Sequence, residues 1–293
     1  MTTKTMRDRA MIVALNIKGW SGKETDRALG GEVATAKAGD SDAFDVVKHL
    51  VTKDCQTFKK IKKVTGKARN AFRDATFAWT DSGGRILPAK NYEKFSSELR
   101  DLKAEYLAAV DDFLAVWPNV VVEAKSKLGT VAADTVFPGV ENLRERYSWD
   151  VIVAPMPAGE DFRVDIRSDE LAQIRADIDS ETDARLKDTT RQLIERAVAV
   201  VGRMAERLDG YDPANPNDQP FRDSLVENVR DMAGIIPAMN ITGDSRLDDI
   251  ARQIGMKLSV TSADELRKDD GKRAEVADAA TEVLGDLEDL LGS

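Results

Sequence analysis

The chain has 293 residues, of which 42% are hydrophobic, 32% are charged and 6% are aromatic. This balance is typical of a globular, mainly helical protein with a sizeable core, and it excludes a disordered chain. The net charge of −9 and the pI of about 5.0 argue against a protein that coats nucleic acid with its whole surface, while leaving room for a local basic patch. A single cysteine, Cys55, excludes an intrachain disulfide and a zinc site of several thiolates.

The N-terminal part is predicted to begin with a strand, because apolar residues alternate between Met11 and Ile17. Ser21 and Glu24 then have the spacing of a capping box, which predicts that a helix begins there. No apolar run is long enough for a signal-peptide core or a membrane span, so we expect a cytoplasmic protein that does not associate with membranes.

A helix with one basic side is predicted over residues 53–79, within an N-terminal section that covers residues 1–90. Its outward residues are Lys59, Lys60, Lys62, Lys63, Lys67, Arg69 and Arg73, and all of them except Lys62 are candidate contacts. Two interpretations stay open. These residues pair with acidic surface elsewhere in the protein, or they contact the phosphates of single-stranded DNA or an acidic partner, such as the tail of another copy.

The clearest periodicity lies in residues 91–128, where apolar side chains alternate at spacings of three and four, as in a heptad seam. The seam consists of Tyr92, Phe95, Leu99, Leu102, Tyr106 and Phe113. A second long helix is predicted over residues 168–208, roughly 60 Å in length. A helix of that length needs a partner along its side, so we expect residues 91–208 to form a long antiparallel coiled coil.

A small β-tip is predicted at about residues 130–167, between the two long helices. Apolar residues alternate around Val151 and again around Val164, on either side of a segment with Pro155, Pro157 and Gly159, which predicts a β-hairpin. Its loop is either an ordinary connection or a contact for a partner on a projecting tip. The residues of that contact would be Met156, Pro157, Asp161, Phe162 and Arg163.

A helical section is predicted over residues 221–293, at the base of the molecule. It ends in an acidic amphipathic tail, residues 274–291, that contains no lysine or arginine. Val276, Val283 and Leu287 lie on one face of this tail. The tail either caps the protein's own C-terminal bundle or docks into the groove of another protein with these three residues as anchors.

The sequence contains no recognisable catalytic or nucleotide-binding motif. Phosphate-binding glycine loops, a nucleophile elbow, a zinc-protease motif and a calcium-binding loop are all missing from it. We therefore expect no catalytic residue, no cofactor and no metal. Adjacent carboxylates such as Asp111 and Asp112 are typical of solvated faces, and a metal-dependent nuclease built from carboxylates is only a third alternative.

Two stretches carry a resemblance to a known family. Residues 76–88 have the pattern T-x-x-W-x-D-x-G-x-R-x-L-P, and residues 155–163 have the pattern P-x-P-x-x-x-D-F-R. With Trp20-Ser21 and residues 221–225, these resemble an uncharacterised family of bacteriophage and mobile-element proteins, over the chain to about residue 255. The resemblance implies a phage or mobile-element origin in a bacterial host, and a MoxR-type AAA+ ATPase or a von Willebrand A-domain protein as a partner.

These observations together predict an elongated, non-enzymatic protein that oligomerises and binds another protein in a phage or mobile-element system. The alternative is an accessory protein that binds single-stranded DNA through the basic helix during recombination or replication.

Overall fold

The computed structural model describes residues 6–80, 83–164, 167–215 and 220–292, and in these parts the chain is mainly helical with two small sheets. The helices are α1 (Arg27–Ala36), α2 (Gln56–Asp74), α3 (Tyr92–Leu128), α4 (Val140–Arg144), α5 (Ser168–Asp209), α6 (Asp223–Met239), α7 (Ser245–Gln253), α8 (Ala263–Lys268) and α9 (Asp270–Gly292). The strands are β1 (Ala10–Lys18), β2 (Lys23–Asp26), β3 (Val46–His49), β4 (Phe77–Ala78), β5 (Arg85–Pro88) and β6 (Ser148–Pro155).

One sheet has four strands in the order β4-β5-β1-β6, and the other pairs β2 with β3. Strand β1 runs antiparallel to β5, with Ala10 opposite Pro88 and Val13 opposite Arg85. The predicted N-terminal strand lies within β1. No helix in the described ranges is both long enough and apolar enough to cross a membrane.

The chain divides into two compact units, each built from segments that are distant in sequence. Unit 1 contains Met1–Ala14, Ala75–Glu93 and Val153–Ser293. Unit 2 contains Leu15–Asp74 and Lys94–Ile152. The predicted sections, by contrast, are consecutive stretches of the chain.

The core of unit 1 is built around α5, which covers the second predicted long helix. Its buried side chains recur at helical spacing and pack chiefly against α9 and α6. The apolar ones are Leu186, Leu193, Ile194, Ala197, Val201, Met204 and Leu208. The predicted coiled coil of the two long helices is not confirmed, because the main partner of α5 is α9 and most of α3 belongs to unit 2.

The core of unit 2 contains aromatic contacts between α2 and α3. The ring centroids of Phe58 and Phe113 are 5.2 Å apart, and those of Phe72 and Phe95 are 6.0 Å apart. The predicted seam supplies much of this core: Phe95, Leu99, Tyr106 and Phe113 are buried and Leu102 is half-buried, but Tyr92 is 41% exposed. Helix α3 continues past Pro118, which lies inside it.

The helix predicted to begin at Ser21 is wrong. Residues 23–26 form β2, and the Ser21 hydroxyl accepts a hydrogen bond from the backbone N–H of Lys23 at 3.2 Å. The helix begins only at Arg27, where Asp26 is the N-cap and accepts from the backbone N–H of Leu29 at 3.0 Å. The S-x-x-E spacing therefore marks a local turn, since serine side chains bind nearby backbone groups in turns as well as in caps.

The predicted hairpin at the tip is wrong over the described residues. Its first half is β6, which joins the four-stranded sheet beside β1. Its second half is not a strand over residues 162–164, and residues 165–166 lie outside the described residues. A short 3-10 helix, Gly159–Asp161, follows β6. The alternating pattern around Val151 identified the strand correctly but could not identify its neighbour.

Candidate nucleic-acid interface

The outward side of α2 is basic because its apolar residues point inward. The buried side chains recur every three or four positions: Phe58, Ile61, Val64, Ala68 and Phe72. All six predicted contact residues lie at other positions of the helix and are exposed; we call Lys59, Lys60, Lys63, Lys67, Arg69 and Arg73 the basic face. Helix α2 thus presents at least six positive charges along 19 residues.

Two lysines of the basic face are paired within unit 2. The Lys60 ammonium donates to the carboxylate of Asp112 at 2.9 Å, and this hydrogen bond raises the pKa of Lys60 above its ordinary value. The Lys67 ammonium lies 3.4 Å from the carboxylate of Glu105. Both acids are on α3. For these two lysines the structure agrees with the interpretation that the face pairs with acidic surface elsewhere in the protein.

Three other members of the basic face have no ion pair within the described ranges: Lys59, Lys63 and Arg69. The Arg73 guanidinium donates to the side-chain oxygen of Asn70 at 3.2 Å. Lys62, which was not predicted as a contact, places its ammonium 4.5 Å from the centroid of the Phe58 ring. Lys59, Lys63 and Arg69 are therefore available to an external anion.

The predicted tip contact is not a projecting loop, because it packs in unit 1 against α5. Met156 is buried in the core of this unit, so the exposed contact expected of it is wrong. The backbone N–H of Gly159 donates to Asp179 at 2.8 Å, and a side chain at Gly159 would collide with the backbone oxygen of Arg175. Of the remaining predicted contacts, Pro157 and Phe162 are half-buried, and Asp161 and Arg163 are exposed.

The predicted anchors of the tail are occupied by the protein's own core. Val276, Val283 and Leu287 are all buried, and α9 packs along α5. On the outer side of α9, Glu282 accepts from the Lys257 ammonium at 2.8 Å. Of the two alternatives, the structure agrees with a tail that completes the bundle, and the three anchors are not available to another protein.

The residues that carry the family resemblance also support the fold of unit 1. In the β4–β5 hairpin, the Thr76 hydroxyl accepts from Arg85 at 2.6 Å, and the Thr76 carbonyl accepts from Arg196 at 2.7 Å. Gly83 has a φ of +101°, a conformation that glycine adopts readily and that other residues rarely adopt. In the described part of residues 76–88, the pattern therefore maintains a turn and its hydrogen bonds.

Sequence analysis missed a cavity in unit 2 beside Trp20, which lies in the turn between β1 and β2. The cavity has a volume of about 340 Å³, and Lys23, Glu24 and Arg146 also line it. In the sequence, Trp20 stood out only as one of the residues that carry the family resemblance. Its neighbours come from residues 20–24 and 136–146, and no local pattern could show that these segments meet.

Neither metal chemistry nor a relative supplies a further clue to function. In the residues described, no group of three or more histidine, cysteine, aspartate or glutamate side chains is arranged to hold a metal ion. No protein-family model matches the chain, and no curated protein or solved structure is significantly similar to it.

Proposed function

We propose that the protein is a non-enzymatic protein that binds single-stranded DNA through the basic face of α2. The observation that carries this proposal is the exposure of Lys59, Lys63 and Arg69 without an ion pair in the described parts of the chain. Exposed cations along one groove or face are the feature that sequence-independent binding of a single strand requires. From the resemblance, we place this activity in a phage or mobile-element system of a bacterial host.

The charge of unit 2 supports the proposal. Unit 2 contains 20 lysines and arginines and 18 aspartates and glutamates, a net charge of +2 in a chain whose total is −9. A single strand that contacts this unit meets much less repulsion than the charge of the whole chain suggests. Each phosphate contact releases counterions, so the affinity falls as the salt concentration rises. For a single strand, each contact adds about −0.7 to the slope of log affinity against log salt concentration.

The test compares two double variants of the full chain that remove the same charge from the same helix. In the first, Lys59→Gln and Lys63→Gln remove unpaired lysines. In the second, Lys60→Gln and Lys67→Gln remove lysines that Asp112 and Glu105 already neutralise. With labelled single-stranded DNA at about 50 mM salt, we expect the first pair to lower the affinity about tenfold or more, and the second pair to lower it clearly less.

Two results would contradict the proposal. One is a wild-type protein that does not bind the labelled strand at about 50 mM salt. The other is equal affinity of both double variants and the wild type. Circular dichroism of both variants serves as the control for folding, since none of the four lysines is buried.

A second candidate function is the protein-interaction component of a phage or mobile-element system. The observation that favours it is β6, the outermost strand of the four-stranded sheet, where Val151 is 38% and Ile152 is 54% exposed. Consecutive residues of a strand point to opposite faces, so apolar side chains are exposed on both faces there. Assembly with further copies, and partners such as a MoxR-type AAA+ ATPase or a von Willebrand A-domain protein, belong to this proposal.

The second candidate is tested by the molar mass of the protein in solution, measured by light scattering. We expect an assembly larger than one chain that Ile152→Asp converts to single chains, because a charge at an apolar strand edge opposes pairing with another strand. A single chain at every concentration tested would contradict self-assembly and would leave single-stranded DNA binding as the proposed function.

A further inference from the structure

The cavity beside Trp20 combines the groups that recognise a nucleic-acid base. Its volume of about 340 Å³ lies near the lower end of the range for small-molecule sites, so it has room for one small planar group. Its lining includes an indole, two cationic side chains, one carboxylate, one carboxamide and apolar side chains. The residues used below are Trp20, Lys23, Glu24, Asn142 and Arg146.

The indole of Trp20 is held in place by other aromatic rings of unit 2. It meets Trp117 almost edge-on, at 5.3 Å between ring centroids and 88° between planes, and Phe58 at 6.3 Å and 69°. Edge-to-face contacts of this kind fix the orientation of a ring. The indole is therefore a rigid platform that loses little conformational entropy when a ligand stacks on it.

Arg146 provides the second side of a stacking site. Its guanidinium carbon lies 6.0 Å from the centroid of the Trp20 ring. A planar group between the two needs about 7 Å, which is twice the contact distance of carbon atoms. Arg146 is exposed, so a shift of about 1 Å admits a base. Bases of single strands stack in this way on aromatic rings and on arginine planes.

Two polar side chains of the cavity can select among bases. The Glu24 carboxylate lies 3.7 Å from the Lys48 ammonium, which is beyond a hydrogen bond, and the latter has a closer partner in Asp26 at 3.0 Å. Glu24 can thus accept a hydrogen bond from an exocyclic amino group, as carboxylates do from cytosine. Asn142 is exposed and offers both a donor and an acceptor. Thymine has no exocyclic amino group, and its one ring N–H lies between two carbonyl oxygens that repel a carboxylate, so thymine is a poorer donor to Glu24.

The cavity is connected to helix α2 through Phe58. This residue belongs to α2, contacts the Trp20 ring, and has the ammonium of Lys62 over its own ring. Lys23 is exposed at the cavity. Helix α2 thus carries the basic face on its outer side and, through Phe58, contacts the indole that lines the cavity.

We propose that one base of a bound single strand stacks between Trp20 and Arg146, with Glu24 accepting a hydrogen bond from its amino group. This inference rests on the proposed function, because it names the base-recognising part of the same binding surface. It predicts that the protein prefers strands of cytosine to strands of thymine.

The experiment measures the affinity of the full-length protein for oligo(dC) and oligo(dT) of equal length at low salt. We expect the wild type to bind oligo(dC) about fivefold more tightly, which corresponds to the net contribution of one typical hydrogen bond. Trp20→Ala should weaken binding to both strands about tenfold, the effect of losing one stacked base, whereas Trp20→Phe should retain most of the affinity. Glu24→Gln should abolish the preference while retaining binding, because an amide can pair with either base.

Arg146→Ala is the variant that does not depend on the aromatic core, since Arg146 is exposed. We expect it to weaken both strands severalfold with the melting temperature unchanged. Equal affinity of the wild type for both strands, or unchanged affinity of Arg146→Ala and Trp20→Ala, would overturn the inference. If Lys59→Gln with Lys63→Gln still weakened binding in that case, the proposed function would stand and only the base site would fail. A wild type that binds neither strand would overturn both.

Discussion

Unit 1 contains 23 lysines and arginines and 34 aspartates and glutamates, whereas unit 2 contains 20 and 18. The net charge of −9 is thus the sum of −11 in unit 1 and +2 in unit 2. A pI of about 5.0 describes the first unit much better than the second. The difference shows that a chain with a negative net charge can contain a unit whose own net charge does not repel an anion.

The same contrast holds between two helices, α9 in unit 1 and α2 in unit 2. Each buries one apolar face in its own unit, so neither is a free amphipathic peptide. Their outer faces differ, since α9 has no basic residue from Ala274 onward and α2 has the basic face. The inner faces therefore account for stability, and the outer faces distinguish what each unit can bind.

The largest effect is expected from a substitution that tests whether α9 belongs to the core of unit 1. Val283→Asp places a charge among fully buried side chains of unit 1, and we expect it to lower the free energy of unfolding by more than about 4 kcal/mol. Leu291→Asp makes the same kind of change at a residue of α9 that is 38% exposed, and it should cost less than about 1 kcal/mol. Denaturant unfolding measures both. Equal, small effects would mean that the tail does not belong to the core.

A smaller effect is expected in unit 2 from Tyr106, whose hydroxyl donates to the backbone carbonyl of Lys18 at 2.6 Å. Tyr106→Phe removes this hydrogen bond and should cost about 1 kcal/mol, whereas Tyr92→Phe, at an exposed ring, should cost nothing measurable. Burial raises the pKa of Tyr106 to about 12. A pKa raised on folding adds stability that is complete below about pH 10 and is lost as the pH rises through the folded-state value.

The upward shift of the Tyr106 pKa allows a second measurement that checks this prediction. The wild type should lose more stability than Tyr106→Phe when the pH is raised above about 10, because only the wild type must ionise this buried hydroxyl. Parallel pH profiles for the two proteins would show that Tyr106 titrates as it does in the unfolded chain.

The comparison of charge between the two units can be tested by removing the carboxylates that pair with two lysines of the basic face. Asp112→Asn with Glu105→Gln removes the partners of Lys60 and Lys67, and we expect the affinity for single-stranded DNA at low salt to rise severalfold. The control is Glu288→Gln with Asp289→Asn, which changes the net charge equally but on α9. An equal rise in both double variants would mean that only the net charge matters and that α2 has no special role.

The smallest expected effect concerns Asp179, which anchors the loop after β6 in unit 1. The hydrogen bond from the backbone N–H of Gly159, together with that from Arg7, holds the pKa of this carboxyl below its ordinary value. A lowered pKa adds stability above the unfolded-state value of about 3.9, and this is lost as the pH falls through the folded-state value. From about pH 5 to about pH 3 the wild type should therefore lose slightly more thermal stability than Asp179→Asn. Equal losses in the two proteins would contradict this role of Asp179.

Much of the local structure could be predicted from the sequence, because it depends on periodicity. The predicted strand lies in β1, the basic helix contains α2, and the two long helices are α3 and α5 to within one or two residues at each end. Ser21 shows the limit of a local motif, since its side chain binds the turn before β2 rather than the start of a helix.

The arrangement of these elements could not be predicted, because periodicity identifies a buried face but not its partner. The seam that includes Phe95 and Phe113 contacts aromatic rings of α2, and α5 packs along α9. A heptad pattern is equally compatible with a coiled coil and with a globular core. Periodicity was enough to predict that Lys59 and Lys63 are exposed on α2. It could not predict the cavity that residues 20–24 and 136–146 form, because these segments are distant in the sequence.

The most direct test of the central claim is the salt dependence of wild-type binding to labelled single-stranded DNA. If Lys59, Lys63 and Arg69 each contact one phosphate, the logarithmic slope is about −2, and the affinity falls roughly 20-fold between about 50 and 200 mM salt. Such a slope, reduced by about two thirds in Lys59→Gln with Lys63→Gln, is the predicted result. No binding at the lower salt, or a slope that this double variant leaves unchanged, would contradict the claim that unit 2 binds nucleic acid through α2.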